Sequence, residues 1–144
     1  MKKINKNALV TYSAEQMFNL VDDIEHYPDF LPWCGDSSIV ERDTDTVTAN
    51  LKISHSGFEK NFTTKNFNDK PKTIKMTLVD GPFKTLEGNW GFEPLGNEGC
   101  KVMLDMEFEF NSKILDLTLG PVFSNIANTL VDAFIERANK VYGR

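Results

Sequence analysis

Residues 111–142 have a helical pattern of apolar and polar positions. Polar and charged residues occupy most positions on one side of this segment, and apolar residues recur at intervals of three and four on the other. A stripe of this width is typical of a helix that packs on a core with one face. We therefore predict a long closing helix. Its apolar stripe comprises Val122, Phe123, Ile126, Ala127, Leu130, Val131, Phe134, Ile135, Ala138 and Val141.

Gly120 and Pro121 interrupt this pattern near the start of the predicted helix. Glycine is common just past the end of a helix, and proline is common at the first helical position. We predict a short helix, a break at these two residues, and then the long helix. The break would either bend the helix to follow a sheet or let residues 117–123 move as a gate.

Between residues 37 and 110 the pattern changes to the alternation that is typical of β-strands. Every second residue of Thr46–Ser54 and of Cys100–Phe110 is apolar. Short turns rich in Gly, Asn, Asp and Pro separate the segments, which favours an antiparallel meander over parallel strands joined by helices. The predicted strands are Lys2–Val10, Ser37–Arg42, Thr46–Ser54, Phe58–Phe67, Thr73–Val79, Phe83–Phe92 and Cys100–Phe110.

A second helix is predicted directly after the first strand. Ser13 and Gln16 form the capping-box sequence that marks a helix start. Met17, Leu20 and Val21 then continue at helical spacing. These residues indicate a short helix with one apolar face.

The stretch Tyr27–Trp33, which we call the plug segment, combines three aromatic residues, a leucine and two prolines. Pro28 can begin a single helical turn there, and Pro32 should end it. A segment this apolar is not a solvated loop. It either covers one end of the core or forms an aromatic entrance or partner-facing patch.

The predicted element order is β-α-α-β-β-β-β-β-β-α, an α+β arrangement in a single domain over residues 1–144. A strongly twisted antiparallel sheet of this size curls around its closing helix. Such an arrangement leaves room for a cavity between helix and sheet. Gly88 and Gly91 lie within one predicted strand, where glycine marks either a bend or a close approach.

The composition is that of a globular domain, with 40% hydrophobic and 26% charged residues. The longest unbroken apolar runs are too short for a transmembrane helix or a signal peptide, so we expect a cytoplasmic protein. Cys34 and Cys100 form no CxxC pair. We expect two reduced thiols rather than a disulfide.

The net charge of −5 argues against DNA binding and against a protein whose whole surface binds nucleic acid. Residues 51–84 are the exception, with seven lysines against three acidic residues. These lysines either form a solvated sheet face with favourable cross-strand charges or a binding patch. The candidate partner-binding residues are Lys60, Lys65, Lys75 and Lys84.

No group of residues in the sequence indicates catalysis. The chain contains no P-loop, nucleophile elbow or HExxH motif. His26 and His55 lie in different predicted elements and have no third ligand at metal spacing. We therefore predict neither catalytic residues nor a metal site.

Aromatic residues are abundant instead, with eleven Phe, three Tyr and two Trp. Each one fits an ordinary packed core. Together with the plug segment they indicate a hydrophobic pocket. The candidate ligand-binding residues are Tyr27, Phe30, Leu31, Trp33, Phe62, Phe83, Trp90, Phe108, Phe123, Ile126 and Leu130.

Several stretches together resemble the START-like, or helix-grip, superfamily, in its branch of coenzyme Q-binding proteins and ribosome association toxins. The resemblance spans almost the whole chain in the same order. It implies a curved seven-stranded antiparallel sheet wrapped around the C-terminal helix, with two short helices after the first strand. The matching residues are Tyr12–Met17, Tyr27-Pro28, Phe30–Pro32, Cys34, Phe62–Thr64, Leu78–Lys84, Leu86, Gly88, Trp90, Phe92, Phe108–Phe110 and Phe123–Tyr142.

The resemblance implies two functions. The first is non-catalytic binding of ubiquinone or a similar prenyl lipid in support of respiration, with no other cofactor and at most transient membrane contact. The alternative is a toxin that binds the large ribosomal subunit and blocks subunit joining, for which the lysines of residues 51–84 would face RNA. A cyclase-type enzyme uses the same fold, but no residue here is a candidate catalytic group. We rank ligand binding first and catalysis last.

Overall fold

The structure is a computed structural model that describes residues 2–55 and 57–143. Its element order confirms the predicted α+β arrangement, and most predicted strand bounds agree with it within a few residues. The elements are β1 (Lys2–Val10), α1 (Ala14–Asp22), a 3₁₀-helix (Ile24–Asp29), β2 (Cys34–Arg42), β3 (Thr46–His55), β4 (Phe58–Asp69), β5 (Thr73–Asp80), β6 (Phe83–Pro94), β7 (Cys100–Phe110) and α2 (Lys113–Tyr142).

The seven strands form one sheet in the order β1-β7-β6-β5-β4-β3-β2, and all neighbouring strands are antiparallel. β1 and β2 therefore form opposite edges of the sheet, although they are neighbours in sequence. Register shifts interrupt the pairing of β2 with β3, of β4 with β5 and of β6 with β7. Because such bulges bend strands and increase their twist, they help the sheet to curve around α2.

The concave face of the sheet forms the core together with α2. In β3 and β7 every second residue is buried, as the alternation predicts. Their neighbours on the convex face are exposed or half-buried. The buried residues of these two strands are Val47, Ala49, Leu51, Ile53, Cys100, Val102, Leu104, Met106, Phe108 and Phe110.

The predicted capping box starts α1. The Ser13 hydroxyl accepts a hydrogen bond from the Gln16 amide at 3.1 Å, and the Gln16 side chain accepts one from the Ser13 amide at 2.9 Å. Met17 and Phe18 are fully buried beneath the helix. The ring of Phe18 packs edge-on against Phe92 of β6, with 5.7 Å between centroids. The apolar face of α1 thus closes one end of the core.

The plug segment contains the end of the 3₁₀-helix. The prediction that Pro28 begins a helical turn is wrong, because the turn begins at Ile24 and Pro28 lies inside it. Ile24 is buried and anchors this turn directly after α1. The helix ends at Asp29, before Pro32, as predicted.

Helix α2 is continuous, so the predicted break at Gly120 and Pro121 is wrong. Proline leaves the carbonyl four residues earlier without its intrahelical donor, and here that carbonyl belongs to Leu117. Pro121 is exposed and Leu117 is 79% exposed, so this part of the helix faces water, which can satisfy the carbonyl. The missing helical hydrogen bond therefore leaves no polar group unsatisfied in the protein interior. Because the helix has no break, the prediction that residues 117–123 move as a gate loses its basis.

The buried face of α2 packs on β7, β1 and α1, as in the central helix of a globular domain. By length and composition alone α2 could also cross a membrane, which counting unbroken apolar runs does not detect. Val141 departs from the predicted stripe and is 49% exposed. The last turn contacts α1 through Tyr142, whose hydroxyl donates to the Gln16 carbonyl at 3.1 Å. That contact leaves the neighbouring Val141 in solvent.

Candidate functional site

A small apolar cavity lies between the concave sheet face and α2. Its volume is about 60 Å³. A space of this size holds a few water molecules, whereas pockets for drug-sized ligands measure roughly 300–1,000 Å³. It is lined by Tyr27, Trp33, Leu51, Phe62, Met76, Leu86, Trp90, Met106, Phe123, Ile126, Ala127, Leu130 and Phe134.

The structure brings seven of the eleven predicted ligand-binding residues to this cavity: Tyr27, Trp33, Phe62, Trp90, Phe123, Ile126 and Leu130. Phe30, Leu31, Phe83 and Phe108 do not line it. Phe83 and Phe108 pack behind Phe123, with centroid separations of 5.2 and 4.7 Å. Leu31 is buried, and Phe30 packs against Phe134 at 5.3 Å. The sequence pattern identifies the inward face of each element, but not how far along the sheet the empty space lies.

Six lining residues were not among the predicted ligand-binding residues: Leu51, Met76, Leu86, Met106, Ala127 and Phe134. Alternation along the strands and the helical stripe place most of them on inward faces. Most of these six are aliphatic, and an abundance of aromatic residues gives no signal for them.

Two methionines, Met76 and Met106, form part of the cavity wall beside Gly88. Gly88 of β6 lies directly between Met76 of β5 and Met106 of β7. A Cβ atom at Gly88 would lie 2.8 Å from the Cε of Met76. The glycine therefore allows a close approach of the Met76 side chain. Because methionine has three rotatable bonds, this wall can adapt to a different occupant.

Phe134 of α2 packs against both the plug segment and the sheet. It is 1% exposed. Its ring makes edge contacts with Tyr27, Phe30 and Trp90, at centroid separations of 5.5, 5.3 and 5.3 Å. The guanidinium carbon of Arg137 lies 4.9 Å from the Phe30 centroid and covers this cluster on the outside.

Tyr27 lines the cavity, and its hydroxyl is neutral. The Tyr27 hydroxyl donates a hydrogen bond to the Val21 carbonyl. Burial, together with the nearby Asp22 carboxylate, raises the pKa of Tyr27 far above its ordinary value. Cys34 follows the lining residue Trp33 without lining the cavity itself; it is free and buried, and burial raises the pKa of its thiol to about 11. The cavity therefore favours an uncharged, apolar occupant.

An open groove of about 470 Å³ lies outside the cavity, between the plug segment and α2. Trp33 and Ile126 line both spaces and form part of the wall between them. The plug segment thus covers one end of the core, as predicted. Trp33 is only half-buried and forms part of this shared wall, so its displacement would join groove and cavity. The other lining residues of the groove are Pro32, His55, Pro121, Val122, Asn125 and Thr129.

The four predicted partner-binding lysines do not form one cluster. Lys65 of β4 and Lys75 of β5 share the convex sheet face, since their neighbours Asn66 and Ile74 are buried on the concave side. Lys60 is exposed near the start of β4 and lies opposite the inward-facing Ile53. Lys84 lies at the start of β6, and its ammonium is 3.5 Å from a carboxylate oxygen of Glu109. Period-two spacing alone does not reveal which lysines share a face across bulged strands.

Metal binding finds no support in the part of the chain that the structure describes. No group of three His, Cys, Asp or Glu side chains there could hold an ion. The His26 ring instead bonds to Asp23 at 2.8 Å.

Comparison with known proteins places this architecture in a family. The profile of the family described as "Polyketide cyclase / dehydrase and lipid transport" matches residues 10–135. The "Ribosome association toxin RatA" of Vibrio cholerae is 47% identical over 143 residues, which cover 99% of both chains. A "Coenzyme Q-binding protein COQ10 homolog B, mitochondrial" of Xenopus laevis is 26% identical over 97% of this chain and 59% of its own length. The crystal structure of the Zhui aromatase/cyclase from Streptomyces sp. R1128 superposes with a TM-score of 0.85 at 15% identity, covering 96% and 94% of the two chains.

The chain belongs to the polyketide cyclase/dehydrase and lipid transport family, and the predicted helix-grip fold is confirmed. This family is START-like, and within it the chain is similar to ribosome association toxins and, at lower identity, to a coenzyme Q-binding protein homologue. Its relatives bear the names of binding proteins and toxins, while structural neighbours include enzymes of the cyclase type.

Proposed function

We propose that this protein is a cytoplasmic ribosome association toxin that binds the large ribosomal subunit and blocks subunit joining. The observation that carries the proposal is the 47% identity to a protein of that name over 99% of both chains. This reverses the order of functions predicted from sequence, in which ligand binding came first.

The geometry supports a function that depends on a surface rather than on a pocket. Blocking the union of two large particles requires a rigid body with a contact face, and the seven-stranded sheet supplies one. Lys65 and Lys75 provide positive charge on that face of an otherwise acidic protein. Lysines that contact RNA phosphates release counterions, so the association should weaken as salt rises.

Sucrose-gradient sedimentation of the purified protein with ribosomal subunits tests the proposal. The protein should sediment with the large subunit and reduce formation of joined ribosomes. The double variant Lys65→Glu and Lys75→Glu should sediment less, and the slope of its log affinity against log salt should fall by about 1.4–1.8.

Lys113→Glu with Lys140→Glu is the matched control, because both lysines are exposed on α2 and the change in net charge is the same. This control should sediment like the unmodified protein. Protein that stays at the top of the gradient while subunits join normally would refute the proposal.

A second candidate function is binding of an apolar ligand, for which the cavity between sheet and α2 is the specific observation. Its apolar lining and the neutral Tyr27 hydroxyl suit a quinone ring or a prenyl chain such as that of ubiquinone. The volume of about 60 Å³ must grow several-fold to admit either. Rotation of Met76 and Met106, with displacement of Trp33, could supply that space.

Titration with a short-chain ubiquinone analogue tests this second function. Both tryptophans of the protein, Trp33 and Trp90, line the cavity, so a bound quinone should quench most of the tryptophan fluorescence. Leu130→Phe adds volume at the cavity wall and should weaken the quenching. Leu95→Phe, in an exposed turn, is the matched control. Absence of saturable quenching, with no prenyl lipid in extracts of native protein, would count against the function.

A further inference from the structure

The convex face of the sheet is divided into a basic half and an acidic half. On β3, β4 and β5 the outward positions around Lys65 and Lys75 are mostly threonine and asparagine. On β6 and β7 carboxylates accumulate, and Glu87 lies directly opposite Glu107. The protein can therefore attract a polyanion to one half of this face despite its net charge of −5.

Phe67 lies in the basic half of the convex face. Its exposed aromatic side chain is not required on a face that only contacts solvent. The residue is 45% exposed. In register it lies opposite Thr46 on one side and Lys75 on the other. The ammonium of Lys65 lies over its ring, 5.5 Å from the centroid. An exposed aromatic ring is thus held in place by strands on both sides and flanked by two cations.

Neither of these cations is neutralised by a carboxylate among the described residues. Across residues 2–55 and 57–143, neither Lys65 nor Lys75 forms a salt bridge, while Lys52 and Lys84 pair with Glu59 and Glu109. The neighbours of Phe67 are polar, so the ring does not belong to a broad apolar patch of the kind that binds another protein. An aromatic ring between free cations is the combination that binds unpaired nucleotides, because the ring stacks on a base and the cations contact phosphates.

We propose that Phe67 is a stacking platform for an unpaired base of RNA, with Lys65 and Lys75 contacting the adjacent phosphates. This inference rests on the proposed function, and it identifies the ribosomal partner as a single-stranded or looped segment of RNA. A base inside an RNA helix has no free face to offer, so duplex RNA would contact only the lysines.

Fluorescence anisotropy with a labelled single-stranded octanucleotide RNA, and with its duplex, tests this platform. Phe67→Ala should weaken single-strand binding about 5- to 150-fold, the loss expected for one stacked base. Phe67→Tyr keeps a stacking ring and should bind within threefold of the unmodified protein. Val79→Ala removes an exposed apolar side chain from the neighbouring strand β5 and is the matched control.

Salt dependence separates stacking from charge. Phe67→Ala should leave the slope of log affinity against log salt unchanged, whereas Lys75→Ala should lower it by about 0.7. Equal binding of Phe67→Ala and the unmodified protein would overturn the inference, and so would duplex binding as tight as single-strand binding.

Sedimentation with the large subunit distinguishes this inference from the proposed function. If Phe67→Ala and the unmodified protein sediment equally with the subunit, the stacking platform is wrong and ribosome association stands. If the protein binds single-stranded RNA through Phe67 but never sediments with the subunit, the proposed function is wrong and the platform stands.

Discussion

Replacing Phe134 by alanine tests whether one ring holds α2, the plug segment and the sheet together. Complete burial of a phenylalanine side chain is worth roughly 1.5–3 kcal/mol in transfer free energy. A phenyl-sized hole of about 100 Å³ that does not close adds about 2.4 kcal/mol. The neighbouring cavity already shows that this region does not collapse, so we expect the hole to persist. Phe134→Ala should therefore lower the free energy of unfolding by about 4–5 kcal/mol.

Thermal and urea unfolding, followed by far-ultraviolet circular dichroism, measure this loss. For a chain of 144 residues the entropy of unfolding is about 0.3 kcal/mol per kelvin, so a loss of 4 kcal/mol lowers Tm by about 13 °C. Trp90 contacts Phe134 directly, and its fluorescence should change in the folded state as well.

Phe67→Ala is the matched control for this measurement, since it removes the same ring from a position that is 45% exposed. We expect a loss of less than about 1 kcal/mol there. A loss below about 1.5 kcal/mol for Phe134→Ala, or equal losses for the two variants, would refute the role of Phe134 as the joint between the three elements.

Three further predictions concern α2, a buried thiol and a surface histidine. Pro121→Ala restores a helical hydrogen bond and should raise the free energy of unfolding, measured by urea denaturation, by about 1–3 kcal/mol. A lower free energy of unfolding for the variant would contradict the continuous helix. Burial raises the pKa of Cys34 to about 11, so Cys34 in the folded protein should resist alkylation by iodoacetamide at pH 8, while the unfolded protein should react. Equal alkylation rates of Cys34 in the folded and the unfolded protein would contradict this prediction. The hydrogen bond and charge of Asp23 raise the pKa of His26 above its ordinary value. The stabilising effect of His26 should therefore be complete at pH 5.5 and disappear as pH rises through the raised pKa. Urea denaturation of the unmodified protein and of His26→Gln at several pH values measures this effect. A difference in unfolding free energy between the two proteins that does not change with pH would contradict the prediction.

Most of the secondary structure follows from local pattern. The strict alternation in β3 and β7 and the capping box of α1 each depend on neighbouring residues, and so the sequence reveals them. Pro121 shows where local reasoning fails. Its effect on the helix depends on whether the carbonyl of Leu117 meets water or protein, which only the folded structure decides.

The candidate site was less predictable than the fold. Inward alternation correctly assigned Phe83 and Phe108 to the core, but whether a core residue borders empty space depends on what its neighbours leave unfilled. Here Met76 and Met106 lie beside Gly88 and form part of the cavity wall. The same limitation applies to the convex face, where Lys65 and Phe67 meet Lys75 only through the register of β4 and β5.

The pairing of β1 with β7 has a consequence for synthesis of the chain. Lys2 lies opposite Phe108, so the first strand to be made waits for the last strand before it can form hydrogen bonds. At translation rates of about 5–20 residues per second, that wait is roughly 5–20 s. The concave face then still lacks α2, which is made after β7. The aromatic lining thus stays uncovered until the chain is nearly complete, and the nascent protein should need a chaperone most during the interval between β7 and the end of α2.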